Sequence, residues 1–494
     1  MSLTVSNTLT GKREEFDPLE PDSVTLYYCG LTVSDNAHLG HARSWVHTDV
    51  IHRWLEHLGY SVRHIENFTD VNEKIVARVG KYGDDEESVA RHFIGNVLRD
   101  MRSLNLKRVD VYPRVSEHIP EIISMIEALI ERGYAYESDG SVYFDVTAFP
   151  DYGQLSNQSI DDIEPEQNDA SEDKRHPQDF ALWKAGGVEP TAVAQHQGDT
   201  EISPDTAATT ALTFNSPWGQ GRPGWHIECS AMATTHLGDT FDIHVAGHDI
   251  LFPHNENEIA QAVAATDGNY ANYWLHTGML RTQGEKMSSS LDNFTRVAEA
   301  LDEYGPDVLR TFFLSSVYSA DQTLSEDALD EARERWKRLR RAYEQADNIT
   351  TDPRAGTKPV DSQLRNTIAN ARKAFNTAMN DDFNTRKAMA ALLEVATAIN
   401  THIDTVESFD YPGLKGAIDV FESYGREVFG LSFGKQTAGQ VHLVDDLVEV
   451  ILEMREHERQ IGNYDRADAL RTELEALGIV VEDGDDGTSY RFQS

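Results

Sequence analysis

The sequence predicts an α/β fold: a parallel-sheet domain first, then a helical bundle and a small C-terminal segment. Three observations carry this reading. Residues 23–33 (SVTLYYCGLTV) form an apolar run rich in β-branched and aromatic side chains, the pattern of a buried strand. From His38 onward, Val46, Val50, Ile51, Trp54, Leu55 and Leu58 make a helical stripe that Gly59 closes, and a second strand-like run follows at 61–68. Strand, helix and strand at this spacing make a βαβ unit, which implies parallel pairing and a right-handed crossover. Finally, residues 324–433 are nearly continuous amphipathic helix, the signature of a bundle.

The remaining elements fall between and after these. Helical patterns dominate 86–133, a β-like piece occupies 142–146, and a polar stretch runs from 156 to 174. Residues 186–213 are poor in large apolar side chains and read as a surface excursion. Order returns at 218–229 and continues through a strand at 240–245. Residues 441–494 carry two helical stretches and an ending of alternating strand character, and no internal repeat is found. A chain of 494 residues exceeds what one core supports, so two to four domains are expected. No apolar run approaches the roughly 18 residues that span a bilayer. The first 17 residues lack the apolar stretch of a signal peptide and the charge of a basic leader, so a soluble cytoplasmic protein is expected.

Charge and cysteine content narrow the setting. The chain carries 83 acidic against 44 basic residues, a net charge of −39, and the acids are spread along its whole length. Arginine also outnumbers lysine. This balance suits a protein soluble in concentrated salt, where the Debye length shrinks to about 3 Å near 1 M and self-repulsion is screened. An acidic protein of ordinary salinity is the alternative. Two cysteines in so long a chain, Cys29 and Cys229, argue against a disulfide scaffold and for reactive or metal-bound thiols.

Three constellations carry chemistry. His38-Leu39-Gly40-His41 stands where the first strand hands over to its helix, the position at which open parallel sheets bind phosphates. Two imidazoles there can donate to phosphate oxygens, and Gly40 admits a flat base; on its own the motif equally suits a capped surface helix. Lys286-Met287-Ser288-Ser289-Ser290, after Gly284, reads as a loop with one cation and several hydroxyls, suited to a leaving pyrophosphate. His254 and Glu258, four apart on a helix expected to start after Pro253, project from one face as a metal grip. Cys229 and Cys29 complete a zinc-type donor set, although buried inert thiols and a solvated glutamate are the plainer alternative.

Taken together, these segments resemble the cysteinyl-tRNA synthetases, a family of class I aminoacyl-tRNA synthetases. The resemblance runs from Asn7-Thr8-Leu9-Thr10 through Tyr28-Cys29-Gly30, His38 to His41, residues 67–70, Asp179-Phe180, residues 182–184, 217–219, 224–230 and 252–258 to the loop at 286–290. It closes with Asp381-Asp382-Phe383-Asn384-Thr385 and residues 467–471. It implies a Rossmann-like catalytic domain in two halves (1–116 and 223–275) around a connective insertion (117–222). A loop and stem-contact region (276–323), a helical bundle (324–436) and an anticodon-binding domain (437–494) follow. It implies one zinc on Cys29, Cys229, His254 and Glu258, and catalytic roles for His38, His41 and Lys286. ATP, with Mg²⁺, would meet His38, Gly40, His41, Lys286, Ser288 and Ser289. The reaction implied is cysteine plus ATP to cysteinyl-adenylate, then transfer to tRNA(Cys), by a monomer.

Zinc has a physical rationale in such an enzyme. Serine differs from cysteine by one atom, and pocket shape separates such neighbours by only about 1–3 kcal/mol. A zinc-bound thiol is deprotonated outright, whereas a hydroxyl is not. Gly30, Thr32, Trp225, His226 and His244 are expected around the cysteine, with His248 also in support. Arg459, Asp468 and Asp483 resemble anticodon readers, and arginines in 333–341 and 455–471 are candidate tRNA contacts. The chain departs from the family where Ser289 replaces a second lysine and Asp292 a glycine. Two other readings compete: a mycothiol-type cysteine ligase, which lacks an anticodon module, and a non-catalytic synthetase-like RNA-binding protein.

Overall fold

The computed structural model describes residues 2–160, 174–188, 212–282, 285–286, 295–351, 361–405 and 408–433, together with parts of 448–492. The chain divides into two compact units, residues 1–433 and 434–494.

The first unit opens with an antiparallel hairpin, β1 (Thr4–Asn7) and β2 (Lys12–Glu15). The predicted βαβ unit follows as β3 (Ser23–Tyr28), α1 (Leu39–His57) and β4 (Ser61–Glu66), with β3 and β4 parallel and Tyr27 opposite Ile65. Both strands stop short of the ends expected at 33 and 68. Gly30 brings the chain so close to the end of β4 that a Cβ there would lie 1.7 Å from the Asn67 carbonyl oxygen. The Asn67 side chain accepts the Gly30 amide at 2.9 Å, so a side chain takes over from the strand ladder. The helical pattern at 86–133 resolves, after α2 (Glu73–Val76), into α3 (Glu86–Ser103) and α4 (Ile119–Glu131). Between α3 and α4 the chain runs beside β4, bridging Ile65 to Val111 and Phe68 to Arg114.

Next comes an antiparallel sheet of β5 (Ala135–Ser138), β6 (Ser141–Phe144), β7 (Phe180–Ala185), β8 (Phe214–Ser216) and β9 (Gly219–Pro223). Its order is β5-β6-β7-β9-β8, and it is inserted before the parallel sheet resumes. Val142, Phe144, Phe180 and Leu182 pack there with Ile122, Ile126 and Leu129 of α4, Ile227 and Met232 of α5 (Trp225–Leu237), and Ala260 of the helix that follows the next strand. The excursion at 186–213 and the polar stretch beyond residue 160 lie largely outside the described residues.

β10 (Thr240–Gly247), α6 (Glu256–Ala265) and β11 (Tyr270–Thr277) complete the parallel sheet in the order β11-β10-β3-β4. From β3 the chain goes to β4 on one side and later to β10 on the other. The strand order therefore switches between β3 and β10, and ligands bind beyond the carboxyl ends of strands at such a point. Cys29 follows β3 there, its N–H donating to the Val245 carbonyl of β10 at 3.0 Å.

β12 (Leu280–Thr282) and β13 (Glu285–Lys286) then form a hairpin. After α7 (Val297–Tyr304) and α8 (Pro306–Phe313), β14 (Gln322–Leu324) pairs parallel with β12. The bundle consists of α9 (Glu326–Thr351), α10 (Ser362–Asn380), α11 (Thr385–Thr405) and α12 (Tyr411–Val420), with a wider helical turn at Phe421–Val428. Its apolar stripes and the α1 face of the parallel sheet share one core. Among the described residues no helix is long and apolar enough to cross a membrane.

The second unit contains α13 (Tyr464–Ala476) and the antiparallel pair β15 (Ile479–Gly484) and β16 (Gly487–Phe492). Val448, Leu474, Ile479 and Val481 form its core. The earlier of the two predicted helical stretches lies partly outside the described residues.

Candidate active site

Cys29, Cys229, His254 and Glu258 converge beyond the switch point, all buried, with one donor atom of each lying within 4.8 Å of the others. Cys29 leaves the end of β3, Cys229 lies in the second turn of α5, and His254 and Glu258 flank the start of α6. Phe252 is extended (φ −129°), and the chain turns helical after it, in a wide turn that ends at Asn255 and continues into α6, so the helix expected after Pro253 is present. The two side chains still meet, His254 Nε2 lying 3.1 Å from Glu258 Oε1. The thiol sulfurs are 3.8 Å apart, and Cys29 Sγ lies 3.4 Å from His254 Nε2. Tetrahedral zinc, with bonds of about 2.3 Å to sulfur and about 2.1 Å to nitrogen or oxygen, spaces its donors by about 3.8 Å (S to S), about 3.6 Å (S to N) and about 3.4 Å (N to O). The four donors match a closely spaced divalent-metal set and exclude a disulfide, whose sulfurs lie about 2.05 Å apart.

The electrostatics favour a cation. The hydrogen bond between the thiols brings Cys229 down to about 6 and, with burial, drives Cys29 well up. Burial opposes a charged His254, yet Glu258 and Cys229 raise it to about 10. Glu258 is held well below the carboxylate range, against its burial, by His244 and His254.

A ring of partners fixes the donors. His254 Nδ1 and His226 Nδ1 are 3.0 Å apart. A metal on His254 Nε2 would leave the ring's one proton on Nδ1, donated to His226. Glu258 Oε1 accepts from Asn255 at 2.8 Å, and Oε2 meets His244 Nε2 at 2.9 Å and the Tyr270 hydroxyl at 2.8 Å. His244 is stacked on Trp274 behind the carboxylate, with ring centroids 4.1 Å apart. Trp225 is 40% exposed, its ring 4.2 Å from that of His254, and so stands at the open side. Gly30 and Thr32 line the β3 end, Thr32 bridging to Thr69. His248 is not in this ring: it lies beyond the end of β10, and its ring faces His276 at 6.3 Å. Asn67, Asn255 and Tyr270 were assigned no role from sequence. Asn67 gathers the Tyr27 hydroxyl and the Gly30 amide, both at 2.9 Å. Tyr270 adopts a left-handed backbone (φ 65°), a strain that the Glu258 bond accompanies.

His38 and His41 sit where the strand-to-helix reading put them. His38 caps α1, its Nδ1 accepting the Gly40 amide at 3.1 Å, and its own amide donates to His41 Nδ1 at 3.3 Å. With both Nδ1 atoms accepting, the proton of each neutral ring lies on Nε2. Burial, together with His38, keeps His41 well below the usual histidine range. The rings stack at 3.8 Å. A Cβ on Gly40 would lie 2.8 Å from the His38 ring, so the glycine keeps that stack possible. Lys286 is placed only through its backbone in β13, opposite Arg281; its side chain and Ser288, Ser289 and Asp292 lie outside the described residues.

In the second unit Asp468 is exposed on α13, Arg459 is half-buried and Asp483 belongs to β15. The arginines in 333–341 are largely engaged by acids of their own helix: Arg333 with Asp330, Arg335 with Glu331 and Arg340 with Glu344.

Comparison with known proteins agrees with this layout. Residues 15–334 match the catalytic-domain family of class I (C) tRNA synthetases, 374–434 a DALR domain, and 443–491 the cysteinyl-tRNA ligase anticodon-binding domain. The chain is 58% identical to a cysteine–tRNA ligase of Haloarcula marismortui over 492 residues, covering 100% of both chains. It is 55% identical to one of Halobacterium salinarum, covering 99% of this chain and 100% of that one. Among solved structures, a Mycobacterium tuberculosis methionyl-tRNA synthetase bound to methionyl-adenylate shares the fold at 16% identity, with a TM-score of 0.56 over 84% of this chain and 93% of that one. A leucyl-tRNA synthetase from Agrobacterium radiobacter does so at 12% identity, with a TM-score of 0.58 over 86% of this chain and 87% of that one.

Proposed function

The chain belongs to the cysteinyl-tRNA synthetases, enzymes of class I that ligate cysteine to tRNA, and on that footing we propose that Cys29, Cys229, His254 and Glu258 hold one zinc ion that reads the amino acid. The observation that carries the proposal is the convergence of two sulfurs, a nitrogen and a carboxylate oxygen, all within 4.8 Å of one another, in one buried cluster. When bound there, zinc would supply a soft Lewis acid that favours a thiolate over a hydroxyl.

The other residues bind and position. Trp225 and His226 wall the cysteine side, with Gly30, Thr32 and His244 behind. The carboxylate of cysteine attacks the α-phosphate of ATP, forming cysteinyl-adenylate and releasing pyrophosphate. His38 and His41 donate from Nε2 to phosphate oxygens that gain charge in that step, Gly40 admits the base, and Mg²⁺ accompanies the triphosphate. Lys286, Ser288 and Ser289 grip the leaving pyrophosphate. A ribose hydroxyl of tRNA(Cys) then attacks the adenylate carbonyl and AMP departs. Arg459, Asp468 and Asp483 read the anticodon, a role supported by the family match over 443–491. That match also speaks against a ligase acting on a sugar amine. The domain limits given above belong to the same reading, as do a cytoplasmic monomer and adaptation to high salt, the last supported by relatives from haloarchaea.

The test combines metal analysis with specificity. Wild-type protein in high salt should carry one zinc per chain and catalyse ATP–pyrophosphate exchange with cysteine but not serine. Cys229→Ala should lose the zinc and at least about 100-fold in kcat/KM for cysteine, with ATP binding nearly unchanged. Full cysteine selectivity in a metal-free Cys229→Ala protein would refute the proposal.

A further inference from the structure

The turn between bundle helices α10 and α11, Asp381-Asp382-Phe383-Asn384-Thr385, has no part in the reaction described above. Asp382 (φ 61°) and Phe383 (φ 50°) are consecutive left-handed residues, a conformation disfavoured for any residue with a Cβ. What holds them there is a dense set of bonds to other elements. Asp382 Oδ1 accepts the Ser6 amide at 2.7 Å and the Tyr318 hydroxyl at 3.0 Å. Its Oδ2 accepts the Ser6 hydroxyl at 2.7 Å and pairs with Arg13 at 3.2 Å. Thr385 donates to the Ser316 carbonyl at 2.8 Å.

The segment gripped from that side, residues 316–320, is gripped from the other by Arg43, two residues beyond His41 on α1. Arg43 is fully buried. Its guanidinium donates to the carbonyls of Val317 and Tyr318, both at 3.2 Å, and of Ala320 at 2.5 Å. It also donates to the Gly278 carbonyl, just ahead of β12, and to Gln322 Oε1 at 3.2 Å. Gly278 and Ala320 approach so closely that a Cβ on Gly278 would lie 2.4 Å from the Ala320 carbonyl. A buried guanidinium spent mainly on main-chain carbonyls fixes backbone position more than it neutralises charge. In the chain, the bundle lies between the catalytic match at 15–334 and the anticodon-binding match at 443–491.

We propose that Tyr318 and Asp382 are positioning residues for the transfer step: with Arg43 they form a strut between the bundle turn and the helix carrying His38 and His41, and loosening it slows transfer to tRNA while sparing activation of cysteine. The inference rests on the synthetase reading above. A strut that only stabilised the fold would affect both half-reactions alike. One that holds the bundle in register affects the half-reaction that needs tRNA.

Tyr318→Phe removes a single hydroxyl and Asp382→Asn a single charge; Thr385→Val, which removes the bond to Ser316, is the second probe should either fail to fold. Each is assayed for cysteine-dependent ATP–pyrophosphate exchange and for single-turnover charging of tRNA(Cys), at a temperature at which its unfolding curve shows it native. Exchange should stay within about twofold of wild type while charging slows by roughly five- to thirtyfold. The double variant Tyr318→Phe/Asp382→Asn should be no slower than the slower single one, as for two ends of one bond. Equal loss of exchange and charging, or unchanged charging in the folded variants, overturns the strut. Failure of the wild-type protein to exchange pyrophosphate would instead overturn the reading beneath it.

Discussion

Glu66, the last residue of β4, is a buried carboxyl whose Oε1 accepts the indole N–H of Trp45 at 2.9 Å. Burial pushes it up to about 8 from an ordinary 4.5, the Trp45 bond offsetting only part of the shift. Between these two values the folded protein keeps a proton that the unfolded chain has released. The contribution of Glu66 to stability is therefore complete below about pH 4.5 and is lost as the pH rises through about 8. Glu66→Gln keeps the acceptor and removes the titration. Its Tm relative to wild type should climb across that window and level off above it, and a difference independent of pH would contradict the assignment. The four clustered donors proposed for zinc were legible in the sequence because their chemistry is scarce: two thiols in the whole chain, and a histidine and glutamate four apart. Asn67 and Tyr270 were not, because an asparagine and a tyrosine carry no such signal until the fold brings them to the cluster.

Among the elements, α8 depends on one buried charge. Arg310 donates to Asp49 Oδ2 of α1 at 2.5 Å, to the Phe429 carbonyl at 2.7 Å and to the Leu104 carbonyl at 3.0 Å. It thereby ties together four stretches of chain distant in sequence. Truncating one partner of such a network leaves carbonyls and a carboxylate buried without their donor, which costs about 3–5 kcal/mol. Arg310→Met should lower the urea midpoint accordingly, and a midpoint within error of wild type would show the network to be dispensable. Helices such as α1 and the bundle were readable from apolar periodicity, which their packing faces impose. The strand ends were not, because β3 and β4 stop where Gly30 and Asn67 take over from the ladder, an event between residues 37 apart. The helix after Pro253 was readable too, since the extended Phe252 precedes that proline and the chain is helical beyond it into α6.

At the scale of the molecule, a net charge of −39 must coexist with a polyanionic substrate. Three of the α9 arginines, Arg333, Arg335 and Arg340, are relevant here, since each is held by a carboxylate one turn away. Exposed pairs of this kind contribute at most about 1 kcal/mol, so a phosphate can replace the carboxylate at little cost. When it does, the RNA sheds a condensed cation, but the abandoned Asp330, Glu331 or Glu344 takes one up from the medium. The cation released and the cation captured nearly cancel. The affinity for tRNA should then fall with log salt less steeply than the roughly 0.7–0.9 per phosphate expected of a free arginine. Replacing Glu331 and Glu344 by Gln should restore the steeper dependence in a binding titration from low to high KCl; parallel slopes would show that these arginines do not meet the RNA. On this expectation the acidic partners of Arg333, Arg335 and Arg340 act as a built-in ion exchanger, one that would let a polyelectrolyte be held in brine.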